Sequence, residues 1–213
     1  MAEHELGLPT QDDSIRTIPI RYNSHVFFLD EDVGEPIQYR DITQLLITCS
    51  QDDVVSIIIN SSGGRLDSAC QLMEAIESCQ GTVVATVVGA AYSAASMIAC
   101  VVPECSVTDS AEFMIHTASY GTLGNTANVK AHTDFVTDQV HKLLDKVYKD
   151  FMTPEEIAEL KAGKEFWFGA EEARKRFKRR ETKRAEANKL KAAKAAAQKK
   201  SKAKSKLVKE ATE

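Results

Sequence analysis

The sequence predicts an α/β protein built around a largely parallel sheet. Two short apolar runs, HVFFLD at 25–30 and VVSIIIN at 54–60, are typical of buried strands. Between them, EPIQYRDITQLLITCS carries apolar residues at helical spacing. A strand, a helix and a second strand in this order indicate parallel pairing, because parallel neighbours need a crossover connection and a helix usually supplies it.

The same alternation continues towards the middle of the chain. After the turn NSSGG at 60–64, apolar residues of RLDSACQLMEAIESC share one helical face, and GTVVATVVG at 81–89 predicts the next strand. SVTD at 106–109 and AEFMIH at 111–116 predict two more short strands. We expect helices to cover the faces of this sheet.

Two further helices are predicted before residue 165. Apolar residues between 125 and 151 recur at intervals of three and four, which predicts one long amphipathic helix. TPEE then predicts a new helix start, with Thr153 as the N-cap, Pro154 at the first helical position and Glu156 closing a capping box.

Charge is distributed unevenly along the chain. From Arg174 onward there are 17 Lys and Arg residues against 4 Glu, which leaves 10 basic against 27 acidic residues in the first 173. The sequence is thus an acidic body with a basic tail, rich in Ala and Lys, that is either helical or disordered. Such a tail either keeps the protein soluble or binds a polyanion or an acidic scaffold.

Composition narrows the class of protein. A length of 213 residues with 43% hydrophobic residues fits one globular domain with an appendage. No apolar run approaches the roughly 20 residues that cross a bilayer, and no secretory signal is evident at the N-terminus. The five cysteines are scattered and include no CxxC pair. We expect a cytoplasmic protein with reduced thiols and no metal or cofactor.

The stretch GAAYSAASMIAC at 89–100 is the first candidate for chemistry. A nucleophilic serine needs a base within hydrogen-bond reach, a group that orients this base, and N–H donors for an oxyanion. Ser96 is predicted at a strand-to-helix transition, where the N–H of Met97 is near, and Gly64 in NSSGG offers another N–H. His116 ends a predicted strand and is the best-placed base, although each signal alone also has an ordinary structural explanation.

The segments IIINSSGG, AASMIA, FMIH and AEEA, in this order, resemble the Clp protease proteolytic subunit (ClpP) family of serine peptidases. The resemblance covers roughly residues 20–177. It is nearest to the phage and prophage branch, whose nucleophile segment reads G-x-A-x-S-A-A-S with the second serine reactive, as in GAAYSAAS. The bacterial housekeeping form has a shorter spacing from glycine to serine.

The resemblance implies a role for each matching residue. Ser96 becomes the nucleophile, His116 the general base, and Gly64 and Met97 the oxyanion donors. Ser93 becomes a packing residue.

The third catalytic position falls on Glu165, where the family normally has an aspartate. A glutamate can also accept the Nδ1 proton of a histidine, but its extra methylene shifts the carboxylate. Glu165 could equally be a surface residue at a helix start.

The resemblance also implies an architecture and partners. Family members fold as a crotonase-like spiral of βαβ units with a projecting handle helix, and they stack as two heptameric rings around a chamber for unfolded protein substrates. We expect the apolar face of the handle, including Val140 and Leu144, to pack against a second ring. The family implies an AAA+ ATPase as a further partner, and any ATP dependence would come from this partner, because the chain has no nucleotide-binding motif of its own. The phage branch implies a capsid or scaffold protein as the alternative partner, and a location in the host cytoplasm.

Three functions are compatible with these observations. The chain is a serine endopeptidase acting on unfolded or phage structural proteins, an inactive structural ring subunit, or a crotonase-type acyl-CoA enzyme. The predicted organisation is an N-terminal segment at 1–19, a peptidase domain at 20–177 and a basic tail at 178–213.

Overall fold

The protein is a mixed α/β fold, as the sequence predicts. The structure, a computed structural model, describes residues 22–210, with side chains up to residue 191 and at residue 194. The predicted N-terminal segment therefore lies outside the described residues. In the described part, no helix is long and apolar enough to cross a membrane.

Six strands form one sheet within the described part of the chain. β1 pairs with β2, β2 with β3, and β3 with both β4 and β5, all in parallel, whereas β6 pairs with β5 in the antiparallel direction. Their bounds are Ser24–Leu29 for β1, Val54–Ser61 for β2, Thr82–Tyr92 for β3, Glu104–Val107 for β4, Glu112–Ile115 for β5 and Phe166–Gly169 for β6.

Six α-helices connect and follow these strands. After a short 3-10 turn at Pro36–Tyr39, they are α1 at Arg40–Thr48, α2 at Leu66–Ser78, α3 at Ala94–Val101, α4 at Thr126–Tyr148, α5 at Pro154–Lys161 and α6 at Ala170–Glu210. The predicted capping box is confirmed: the Thr153 hydroxyl accepts from the N–H of Glu156, whose carboxylate accepts from the N–H of Thr153.

The two faces of the sheet are covered to different extents. Alternate residues of β2 and β3, such as Ile57 and Val87, are buried on one face. On the other face, Val26 and Phe28 of β1 are 57% and 59% exposed, and Ile58, which pairs with Phe28, is only half-buried. The expectation that helices cover both faces is therefore wrong for the described residues, and this face presents an apolar surface.

Helix α4 is partly buried by its own chain. Val140 and Leu144 are 7% and 2% exposed, since the C-terminal half of the helix packs on the body. The prediction that these two residues face a second ring is therefore wrong. The large hydrophobic residues exposed in this region are Phe135 in the N-terminal half of α4, and Tyr120 and Leu123 in the preceding loop.

The start of the basic segment belongs to the packed body. The side chain of Arg180 is fully buried, and its guanidinium donates to the carbonyls of Cys100 at 2.6 Å and Val102 at 2.9 Å, with longer bonds to Ala99 and Pro103. Packing thus continues past the predicted boundary at residue 177.

Arg180 caps the C-terminal end of α3. The last carbonyls of a helix have no partner within the helix and carry the negative end of its dipole, so a cation stabilises them. Arg184 adds a bond to the carbonyl of Cys100 at 3.1 Å. Helix α6 therefore holds the far end of α3 in place.

Replacing Arg180 should strongly destabilise the protein. In Arg180→Met, the side chain keeps much of its bulk, but several buried carbonyls lose their donors, so we expect the free energy of unfolding to fall by about 2–4 kcal/mol. Urea unfolding measures this change. The control is Lys189→Met on the exposed part of α6, which should change stability by less than about 0.5 kcal/mol. Equal effects of the two substitutions would contradict the capping role.

Candidate active site

Ser93 lies in a strained turn between β3 and α3. Its backbone has φ 51° and ψ −121°, a conformation that residues other than glycine rarely adopt. The N–H of Ser93 donates to the carbonyl of Met114 in β5 at 2.8 Å, and its carbonyl accepts from the N–H of Ser96 at 3.0 Å. A serine on such a sharp strand-to-helix turn presents its hydroxyl to a ligand, as in the nucleophile elbow of α/β-hydrolases.

His116 contacts this serine directly. Its Nε2 lies 2.7 Å from the Ser93 Oγ, which is a hydrogen bond. The sheet explains the contact, because Tyr92 of β3 pairs in parallel with Met114 of β5. Ser93 and His116 therefore follow the carboxyl ends of two neighbouring parallel strands, the edge where open α/β sheets bind their ligands.

The structure corrects the predicted pairing of Ser96 with His116. Ser96 is fully buried, and its hydroxyl bonds to the carbonyl of Ser93 and to the Tyr148 hydroxyl, both at 2.7 Å. Ser96 lies within α3, and its buried side chain points into the protein and not towards the histidine. Ser93, predicted to be a packing residue, is the serine that meets the imidazole.

Hydrogen bonds from Ser96 and Tyr148 in the protein interior stabilise the turn. Burial raises the pKa of Tyr148 well above its usual range, so the phenol stays protonated and can donate to Ser96. The Ser96 hydroxyl then donates to the carbonyl of Ser93. This chain of hydrogen bonds links α4 to the strained residue.

Two residues that line the cavity beside Ser93 offer backbone N–H groups. Those of Gly64 and Ala94 have no acceptor among the described residues, and both residues line the same cavity as Ser93. The N–H of Met97 donates to the carbonyl of Ser93 at 3.3 Å, so the predicted use of Met97 as an oxyanion donor is wrong. Gly64 and Ala94 are therefore the two candidate donors in this cavity.

The glycine turn can touch the serine only because it has no side chain there. Gly63 has φ 89°, and a Cβ at this position would lie 2.5 Å from the Tyr92 carbonyl oxygen and 2.8 Å from the Ser93 Cβ. Hydrogen bonds join the backbone of Val33 to the carbonyl of Gly63 and the N–H of Arg65 on either side of the turn. They fix the N–H of Gly64 beside the serine.

Glu165 lies on the far side of His116. The antiparallel register pairs Ile115 with Phe166, and the next residues along are His116 and Glu165. The Glu165 Oε1 is 4.0 Å from the His116 Nδ1, and the Glu165 side chain is 55% exposed. The carboxylate is thus near enough for attraction but beyond hydrogen-bond distance.

A cavity of about 620 Å³ opens beside the Ser93–His116 pair. Much of its wall is apolar, from Leu66, Met97, Val140, Leu143 and Leu144. Asp32 and Arg65 add charge to the lining, and Arg65 is paired with Glu35 and Asp67. Such a cavity fits an apolar side chain of a ligand whose backbone passes Ser93.

The fold and the site thus define an α/β protein in which a serine and a histidine are in hydrogen-bond contact at the carboxyl ends of two parallel strands. The model of the Clp protease family matches residues 11–176. The chain therefore belongs to the Clp protease family, as the resemblance predicted. A comparison with curated proteins finds no match.

The sequence identified the segment that contacts the histidine, but it paired His116 with Ser96, whereas the structure pairs His116 with Ser93. What decides between Ser93 and Ser96 is where β3 ends, and GAAYSAAS carries no glycine or proline at that point. The sequence predicts a strand that ends at Gly89, whereas β3 continues to Tyr92, so that Ser93 directly follows the strand and Ser96 lies inside a helix.

Proposed function

We propose that this protein is a serine endopeptidase with Ser93 as its nucleophile. The observation that carries the proposal is the hydrogen bond of 2.7 Å between the Ser93 Oγ and the His116 Nε2. In this proposal, His116 removes the hydroxyl proton as the Oγ attacks a peptide carbonyl, and it then donates that proton to the leaving amine. A water molecule, activated by His116 in the same way, hydrolyses the acyl-enzyme.

The N–H groups of Gly64 and Ala94 would stabilise the oxyanion. Donors that are fixed before the reaction stabilise the negative charge that develops in the transition state. Ala94 is the first residue of α3, so the positive end of the helix dipole points to the same place.

Glu165 is proposed to orient His116 and to stabilise its positive charge. The register of β5 and β6 supports this assignment, whereas the separation of 4.0 Å and the exposure of the carboxylate weaken it. The alternative of an inactive ring subunit rests on this same separation. The acyl-CoA alternative gains nothing from the structure, because it does not need a hydroxyl bonded to His116.

The substrates proposed are extended segments of unfolded or structural proteins. An extended chain presents its side chains and carbonyls one after another, and the apolar wall beside Ser93 favours cleavage next to an apolar residue.

The biological context of the enzyme also belongs to the proposal. The resemblance to the phage branch depends on the spacing between Gly89 and Ser96, but the spacing from Gly89 to Ser93 is shorter by three residues. With Ser93 as nucleophile, this motif no longer separates the two branches. The cytoplasmic location, the ATPase or scaffold partner and the binding of polyanions by the tail stay predictions.

The nucleophile is tested by comparing the two serines. Ser93→Ala should lower peptide hydrolysis by at least about a thousandfold and abolish labelling by a fluorophosphonate, because Ser93 is the hydroxyl that contacts His116 among the described residues. Ser96→Ala removes two supporting hydrogen bonds, to the Ser93 carbonyl and to the Tyr148 hydroxyl, but leaves the contact of Ser93 with His116 in place, so we expect less than about a tenfold loss with labelling retained. Thermal melting checks that both variants are folded. Labelling of Ser93→Ala, or its loss in a folded Ser96→Ala, would reverse the assignment.

The role of Glu165 is tested by Glu165→Gln. Because its carboxylate lies beyond hydrogen-bond distance in an exposed position, we expect kcat to fall by about 10-fold to 100-fold, which is less than for a buried triad carboxylate. The matched control is Glu171→Gln, an exposed glutamate of α6, which should leave kcat within about twofold. The same small effect for Glu165→Gln would indicate that Ser93 and His116 act as a dyad.

Assembly into a homo-oligomeric ring, proposed as two stacked heptamers, can be tested at the handle. Exposed apolar side chains on a monomer indicate a surface that another protein covers. The double substitution Leu123→Ser with Phe135→Ser should therefore lower the native mass measured by mass spectrometry. Leu190→Ser, which removes an exposed leucine from α6, should leave the mass unchanged. A wild-type protein that is monomeric and fully active would contradict the proposal.

A further inference from the structure

Two thiols lie in contact at the end of the sheet where the parallel strands begin, opposite the end that carries the candidate active site. The Sγ atoms of Cys49 and Cys79 are 2.8 Å apart. Cys49 follows the last residue of α1 and Cys79 follows the last residue of α2, so both precede a strand of the sheet. Parallel strands that start at the same edge bring these two helix ends together.

The distance is short enough for a covalent bond to form with little movement. A disulfide has a sulfur–sulfur bond of about 2.05 Å, so the two atoms need to approach by less than about 1 Å. The space around Cys49 is tight, because a Cβ at Gly81 would lie 3.0 Å from its Sγ. The two side chains are thus held facing each other.

The other cysteines lack such a partner among the described residues. Cys100 and Cys105 are buried, and burial raises the pKa of Cys100 to about 12. Cys70 is half-buried, and burial raises its pKa too. Cys79 is only partly buried, so a small oxidant in solution can reach its sulfur.

We propose that Cys49 and Cys79 form a reversible disulfide when the protein meets a small-molecule disulfide such as oxidised glutathione. The expectation of reduced thiols from the sequence considered only their spacing, whereas the fold pairs two that are 30 positions apart. The proposal does not depend on the proposed peptidase function.

The reaction proceeds by two thiol–disulfide exchanges. The Cys79 thiol loses its proton and attacks one sulfur of oxidised glutathione, which gives a mixed disulfide and releases one glutathione thiol. The Cys49 thiol then loses its proton and attacks the Cys79 Sγ, which releases the second glutathione thiol. The two protein thiols are oxidised, and one glutathione disulfide is reduced to two thiols.

The first exchange should be slow at neutral pH. Desolvation, then the hydrogen bond from Cys49, raises the pKa of Cys79 to about 11, and the Asp53 carboxylate adds to the effect. A bond from the N–H of Gly81 acts in the opposite direction. Because only the thiolate attacks, the rate of cross-linking should rise with pH up to about 11.

The cross-link should stabilise the fold without changing the active site. It would close the loop that contains β2 and α2, and this reduces the entropy of the unfolded chain. Cys79 precedes β3 whereas Ser93 follows it, so the bond forms at the other end of that strand. We expect the apparent Tm to rise by about 5–10 °C with peptide hydrolysis unchanged.

The test is incubation of the full-length protein with oxidised glutathione at several pH values, followed by intact mass measurement. We expect the mass to fall by about 2 Da as two hydrogen atoms are lost, and peptide mapping without reductant should join Cys49 to Cys79. Dithiothreitol should restore the mass and the original Tm. Cys79→Ser and Cys49→Ala should each lose the effect, whereas Cys70→Ser should keep it.

Several outcomes would overturn the proposal. They are an unchanged mass after oxidation at high pH, a glutathione adduct on Cys79 that persists, or a cross-link that involves another cysteine. The proposal would also be overturned if oxidised glutathione raised the Tm of Cys49→Ala and Cys79→Ser as much as it raises the Tm of the wild-type protein. If one of these variants does not fold, the other still decides, because both lack one of the two sulfur atoms.

Discussion

The arrangement of the candidate site depends on the backbone of Ser93, which is held in a conformation that serine does not prefer. A positive φ at a residue with a side chain costs on the order of 1–3 kcal/mol, so the surrounding structure must supply the difference. It does so from both sides: the N–H of Ser93 is bonded to β5, and its carbonyl is bonded to the hydroxyl and the N–H of Ser96. The hydroxyl of Ser93 meets His116 because this turn cannot relax.

Helix α3 connects this strain to the rest of the molecule. Its N-terminal end carries Ser93 and Ala94, and its C-terminal end is bound by Arg180. Taking an arginine out of water is costly, so a fully buried guanidinium is stable only where several acceptors and a negative dipole end are present. The carbonyls that follow α3 provide both. The first residues of the basic segment are therefore part of the folded body, although the charge pattern of this segment alone resembles that of a solvated tail.

The sequence predicted the fold better than the details of the site. Strands such as VVSIIIN and the capping box at Thr153 depend on local patterns, and both are where the sequence placed them. The choice of Ser93 over Ser96 depends on a strand boundary, which local patterns define least well. The buried position of Arg180 could not be predicted, since it depends on carbonyls some 80 residues away in the chain.

The incomplete coverage of the sheet also could not be predicted from the sequence. A parallel sheet is normally covered on both faces, and the apolar strands of this chain fit that rule. One face nevertheless leaves Val26 and Phe28 more than half exposed. The pattern of apolar residues could not predict this exposed face, because it is the same whether the residues are covered by their own chain or by another molecule.

The position of Glu165 shows how one antiparallel strand completes the geometry of the site. The parallel strands bring Ser93 to the Nε2 of His116, and Glu165, which directly precedes β6, lies 4.0 Å from the Nδ1 on the other side of the imidazole. β6 runs back along β5, so its register places residue 165 opposite residue 116. Glutamate is one methylene longer than the family's aspartate and is exposed here, so it can approach the Nδ1 by a rotation of its own side chain. The backbone thus sets which carboxylate can act, and the side-chain torsions set how closely it approaches the imidazole.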